Sequence, residues 1–176
     1  MQNILVKIGG LCMSNNCSNT TNEEKIAALE QKLKTLQLGY AAALADSVVR
    51  YGNEGVLEKI TEQKKAEQMR NGAGLAARFG VTSPKQAIEK TRDTYGCANF
   101  ACADTDGGFQ AVATSCLLCS ISKQMGGRFS PCRIHCLSPM EAMINGVSPG
   151  ADFRVISTLW ESDKCLIKIN ITEGQA

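Results

Sequence analysis

Apolar residues recur along the first half of the chain at the spacing of a helix. From Ile26 onward, Leu29, Leu33, Leu36, Tyr40 and Ala43 follow at intervals of three and four, which puts them on one helical face. Thr21 to Glu24 stands just ahead as a capping box, in which side chains satisfy the first free amides of the helix. The stripe reads either as a heptad-like seam that needs a partner helix, or as an ordinary core-facing face. The stretch "YGNEG" at 51–55 should break this helix. A second helix is expected over 56–79, rich in alanine, with Gly72 and Gly74 permitting close packing or weakening it. A third should start at "TSPKQ", with Ser83 as cap, Pro84 in the first turn and Gln86 closing the box, and should end near Gly96.

Beyond Gly96 the period shortens to that of strands. Residues 97–116 read as a hairpin turning at Asp106-Gly107-Gly108, a sequence suited to positive backbone dihedrals. A second pair, "DFRVISTLW" and "CLIKINIT", surrounds "ESDK". "SPME" at 138–141 reads as one more capping box, opening a helix that ends near Gly146. The expected fold is α+β: long N-terminal helices, then a small antiparallel sheet of two hairpins with crossover helices. The divisions are an irregular leader over 1–20, a helical region over 21–96 and a cysteine-rich α+β region over 97–176, the last two forming one integrated domain.

Charge changes this picture little. Nineteen basic residues face seventeen acidic ones, and the mixed run Glu58 to Arg70 reads as a solvated helix face. Nucleic acid and anionic membranes are not the expected partners. A small-molecule substrate and a second copy, joined through the N-terminal helices, are. No apolar stretch is long enough to span a membrane, and the first residues lack the basic leader of a secretory signal. Nine cysteines, an odd number, argue against a closed disulfide framework and for a reducing cytoplasm.

Four of those cysteines and the only histidine fall within residues 115–136. Ser115 and Ser130 are candidate helix caps, with Cys116 and Cys132 just behind them. The positive end of a helix dipole favours the thiolate there. Cys116 and Cys119 share a helical face, as do Cys132, His135 and Cys136. The spacing C-x2-C-x12-C-x3-C therefore also suits a zinc or iron–sulfur site made by Cys116, Cys119, Cys132 and Cys136. Packing alone is the third reading, since free cysteines make good small core residues. His135 can serve as base, ligand or packed donor. Asp163 lies in the second hairpin turn, two residues before Cys165, either as a solvated turn residue or as a carboxylate that orients a base or a water. Cys97 and Cys102 are expected on opposite faces of one strand.

The layout of residues 97–171 resembles the L-2-amino-thiazoline-4-carboxylic acid hydrolase family. The resemblance is carried by Cys116, by Cys132 or Cys136, by the "NGVSPG" turn and by Asp163-Lys164-Cys165, with Ser162 where such families place a glycine. It implies hydrolysis of a carbon–nitrogen bond in a small cyclic amidine or thiazoline. Cys116 or Cys132 would be the nucleophile, and His135 and Asp163 would move protons. Arg133 or Arg154 would hold a substrate carboxylate, with Cys165 at the binding site. No cofactor is certain from it, and zinc or an iron–sulfur cluster stays open. A metal-binding cysteine cluster and a non-catalytic binding or sensing domain are the alternatives.

Overall fold

The computed structural model describes residues 21–171, so the leader with Cys12 and Cys17 lies outside the described residues. Helix α1 spans Asn22–Asn53. Its N-terminus carries the expected capping box, with Thr21 and Glu24 each accepting the other's backbone amide. The expected second helix is two: α2, Leu57–Arg70, and α3, Gly72–Arg78. Asn71 leaves helical geometry between them, and this bend turns α3 onto a later helix. Helix α4, Pro84–Tyr95, is capped by Ser83 and closed by Gly96 in the left-handed region, φ 60°. Gln86 reaches one residue further back than a capping box requires, accepting from Thr82 N at 2.9 Å.

Strands β1, Ala101–Thr105, and β2, Gly108–Ala113, form the first hairpin, with Gly107 at φ 75° in its turn. Cys97 is not on β1, as expected, but in the segment leading to it, where its carbonyl accepts Leu117 N. Strands β3, Asp152–Ser157, and β4, Cys165–Asn170, form the second hairpin. The two hairpins join through β2 and β4 into one antiparallel sheet of order β1-β2-β4-β3. Phe109, Ala111 and Ala113 pair across β2/β4 with Ile169, Ile167 and Cys165. All six are buried, so the strictly alternating faces of these two strands floor the core. Leu159 and Trp160 do not extend β3. They fold back in a turn and pack against the core.

Between the hairpins run α5, Leu117–Gln124, and α6, Ser138–Val147. Ser138 starts no new helix. It has helical dihedrals and no capping bond, because the chain is already helical from Cys132 through a π-helical turn, Arg133–Leu137. Pro139 explains the π turn. It has no N–H to return to the His135 carbonyl, and Ser138 N bonds back five residues to Arg133 O instead. Ile88 of α4 and Met140, Met143 and Ile144 of α6 meet the sheet residues in one core, which also takes in Ala76 and Val81. The helical and cysteine-rich regions are thus packed as one unit.

The first two-thirds of α1 stands outside that core. Ala41, Ala45 and Val48 are its buried residues. The stripe ahead of them is open, with Leu29 63% and Leu36 70% exposed, and Ile26 and Leu33 similarly bare. Only Tyr40, at the base, finds a partner of its own kind, stacking on Tyr95 at 5.4 Å. Among the described residues no helix is long and apolar enough to cross a membrane.

Candidate functional site: a cavity lined with thiols

Helices α1, α2, α5 and the π turn enclose a cavity of about 250 Å³ beside the sheet. Six of the nine cysteines border it: Cys97, Cys116, Cys119, Cys132, Cys136 and Cys165. His135 and Lys64 do too, and most of the remaining lining is apolar. The π turn contributes the neighbours His135 and Cys136 together, from adjacent positions of one widened helical turn.

Three sulfurs form the chemical centre. Cys116 is itself the N-cap of α5, not the residue after a Ser115 cap; its Sγ accepts Cys119 N at 3.4 Å. Ser115 is held elsewhere, its amide donating to Asn99. Cys119 Sγ lies 3.6 Å from Cys132 Sγ, and both residues are buried. Ser130 caps as expected, its hydroxyl oxygen accepting Cys132 N at 3.3 Å. The Cys119 thiol, followed by the Ser130 hydroxyl, stabilises a Cys132 thiolate against burial and brings its pKa down to about 7. Hydrogen bonding from the Cys119 thiol also lowers Cys116, helped by the amides of Cys119 and Leu118. Cys119, which donates to both, is held protonated far above the ordinary thiol range. It has one hydrogen to give, and two neighbouring thiolates repel each other. The centre therefore ionises once first, at Cys132, where the Ser130 hydroxyl assists. Burial pushes Cys97 up to about 11, Cys165 up to about 12, and Cys136 well above the ordinary value.

His135 is turned away from this chemistry. Lys64 Nζ donates to its Nδ1 at 3.3 Å, and Nε2 meets Ser47 Oγ at 3.1 Å, which in turn donates to Leu44 O. Nδ1 is then an acceptor and Nε2 carries the proton. Burial, followed by the Lys64 charge, lowers the imidazole to about 4. It is a neutral, doubly hydrogen-bonded wall residue, and its role as a proton carrier for the thiols is not favoured by this arrangement.

The remaining expected residues fall elsewhere. Asp163 is exposed in its turn and accepts only the Ser162 hydroxyl. Arg133 pairs with Glu62 and Arg154 with Asp152, both on the surface, and none of these three borders the cavity. Arg133 and Asp163 lie close to cysteines in sequence and Arg154 on β3, but all three side chains are exposed. The cation that does border the cavity, Lys64, belongs to the run read as a solvated face. Leu57, Thr61, Lys64 and Gln68 form one row of α2, and buried Thr61 marks it as the inner one. Burial lowers the Lys64 pKa. Gln68, one turn on, keeps a buried Oε1 with no partner.

The four expected metal ligands all border the cavity. Yet among the described residues no three or more His, Cys, Asp or Glu side chains are arranged to hold a metal ion. No family model, characterised protein or solved structure matches the chain.

Proposed function

We propose that the cavity is the active site of a cysteine-dependent hydrolase that opens a carbon–nitrogen bond in a small cyclic amidine or thiazoline-type substrate. The observation that carries this reading is the Cys132 sulfur, buried on the cavity wall, with the Cys119 thiol 3.6 Å away. A nucleophile ionised near neutrality and a neighbouring proton donor are the two parts such a reaction needs. The Cys132 thiolate attacks the electrophilic carbon between the heteroatoms. The carbon–nitrogen bond breaks, and the leaving nitrogen takes the Cys119 proton. That proton is tightly held only while thiolates surround it, and alkylation of Cys132 removes one of them. Water then adds to the carbon, returns a proton to Cys119 and releases the Cys132 thiolate. Lys64 replaces Arg133 and Arg154 as the cation for a substrate carboxylate, and Gln68 Oε1 accepts a substrate N–H.

The test is turnover of a panel of thiazoline and cyclic amidine carboxylates. Cys132→Ser should abolish it. Lys64→Met should raise KM about tenfold, the equivalent of ~1.4 kcal/mol, while kcat changes less. If no substrate turns over while Cys132 remains reactive toward alkylating agents, the cavity binds its ligand without hydrolysis.

The bare stripe of α1 supports pairing with a second copy. With Ile26 and Leu33 at the a positions and Leu29 and Leu36 at d, Lys25 and Lys32 fall at g and Glu30 at e. A parallel arrangement sets Lys25 of one copy against Glu30 of the other. An antiparallel one sets Lys25 against Lys32. Parallel pairing is thus the occupant with complementary charge. Light scattering on the eluting protein should give a dimer, and Leu29→Glu with Leu33→Glu a monomer. A wild-type monomer at micromolar concentration would exclude the pairing.

A further inference from the structure

We propose that Cys132, Cys119 and Cys116 also form a thiol relay that reduces a hydroperoxide and carries the resulting disulfide from Cys132 outward to the Cys116–Cys119 pair. Cys119 is the shared neighbour: its sulfur lies 3.6 Å from Cys132 Sγ, and its amide is 3.4 Å from Cys116 Sγ. Cys116 and Cys119 form a C-x2-C pair at the first turn of α5, with Cys116 as the cap. This geometry favours thiolate chemistry at the first cysteine. A disulfide needs the sulfurs at about 2.05 Å, so Cys119 and Cys132 must close from 3.6 Å, and Cys119 must then turn toward Cys116.

Burial gives the relay a direction. Cys116 and Cys119 border a wide surface cleft with Arg92, Asn99, Ser115 and Lys123, and Cys132 borders another with Arg128, Ser130 and Arg133. A disulfide left at Cys119–Cys132 would join two buried residues, whereas one at Cys116–Cys119 includes the half-buried Cys116, which an external thiol reaches more readily. The other cavity thiols, held protonated by burial, take no part.

The chemistry balances. The Cys132 thiolate attacks the terminal oxygen of the hydroperoxide, the oxygen–oxygen bond breaks, and the alkoxide takes the Cys119 proton to leave as an alcohol. The Cys119 thiolate attacks the Cys132 sulfenic sulfur and expels hydroxide, giving the Cys119–Cys132 disulfide. The peroxide is reduced by two electrons drawn from the two sulfurs. The Cys116 thiolate then attacks Cys119, forming Cys116–Cys119 and restoring the Cys132 thiolate. A dithiol reductant from solution closes the cycle.

The relay does not rest on hydrolysis, since its readout needs no carbon–nitrogen substrate. Reduced full-length protein is treated anaerobically with one equivalent of cumene hydroperoxide, alkylated, digested with trypsin and mapped by tandem mass spectrometry. In the wild type the disulfide should lie within the peptide 93–123, between Cys116 and Cys119. In Cys116→Ser it should stop as a link from that peptide to 129–133, through Cys119 and Cys132. In Cys119→Ser no disulfide should form, and dimedone should trap Cys132 as its sulfenic acid. Cys132→Ser should slow peroxide consumption about 16-fold at pH 7, the ratio of thiolate fractions for pKa values near 7 and 8.5. Folding of each variant is checked by circular dichroism, and the wild-type map alone suffices to decide. The relay is overturned if Cys132 proceeds to sulfinic acid without a disulfide, or if bonds form equally through other cysteines. It is also overturned if hydroperoxide leaves all thiols unchanged.

Discussion

Iodoacetamide will label Cys132 first, and the rate will half-titrate near pH 7. The cause is the stabilised thiolate: the Cys119 thiol lies 3.6 Å from the Cys132 sulfur, and the Ser130 hydroxyl stands beside it. Alkylation needs the thiolate, so reactivity is full above this pKa and is lost as pH falls through about 7. An ordinary thiol loses it near 8.5. Cys132→Ser should remove the fast phase altogether. Ser130→Ala should move the midpoint upward, since the Ser130 hydroxyl supports the thiolate and accepts the Cys132 amide. Stopped-flow alkylation with peptide mapping reads both effects. Uniform labelling of several cysteines with a midpoint near 9 would remove Cys132 from the nucleophile's role.

The second large effect is on stability. Helices α3 and α6 cross with backbone against backbone. A Cβ on Gly146 would overlap the Gly72–Ala73 backbone, and one on Gly72 would overlap the Ala142 carbonyl. Gly146→Val should lower unfolding stability by about 2–3 kcal/mol, as overpacked sites do. Gly74, two residues along α3, has open space around it, so Gly74→Ala should stabilise by about 0.5–1 kcal/mol through helix propensity alone. Urea denaturation of the two variants separates close packing from propensity, and equal effects would refute the backbone crossing. Gly146→Val should also blunt the fast Cys132 alkylation, because α6 is continuous with the helix that carries Cys132.

These two glycines illustrate why parts of the fold were legible and others were not. The caps at Thr21 and Ser83, the Gly96 stop and the Gly107 turn are local: each residue acts on amides or dihedrals within its own turn. The alternation of β2 and β4 is equally plain, because burial on one face leaves a period of two. Gly72 and Gly74 look alike in sequence, and only the approach of α6 separates them. The "SPME" capping box failed because a cap needs a free helix start, and the π turn had already carried the helix through it.

The candidate site divides along the same line. The sequence by itself determined the α+β order, the cap beside Cys132 and the concentration of thiols in one segment, since these depend on neighbours a few residues away. The tertiary structure alone decided which thiols meet. Cys119 reaches Cys132 across a 13-residue separation, and Cys97 and Cys165 arrive from the ends of the sheet region. It also set Lys64 inward and turned Asp163, Arg133 and Arg154 to solvent. The physical reason is that charge and burial are properties of the packed surface. One row of α2 reads as polar in sequence and still faces the cavity, because the helix that carries it packs there.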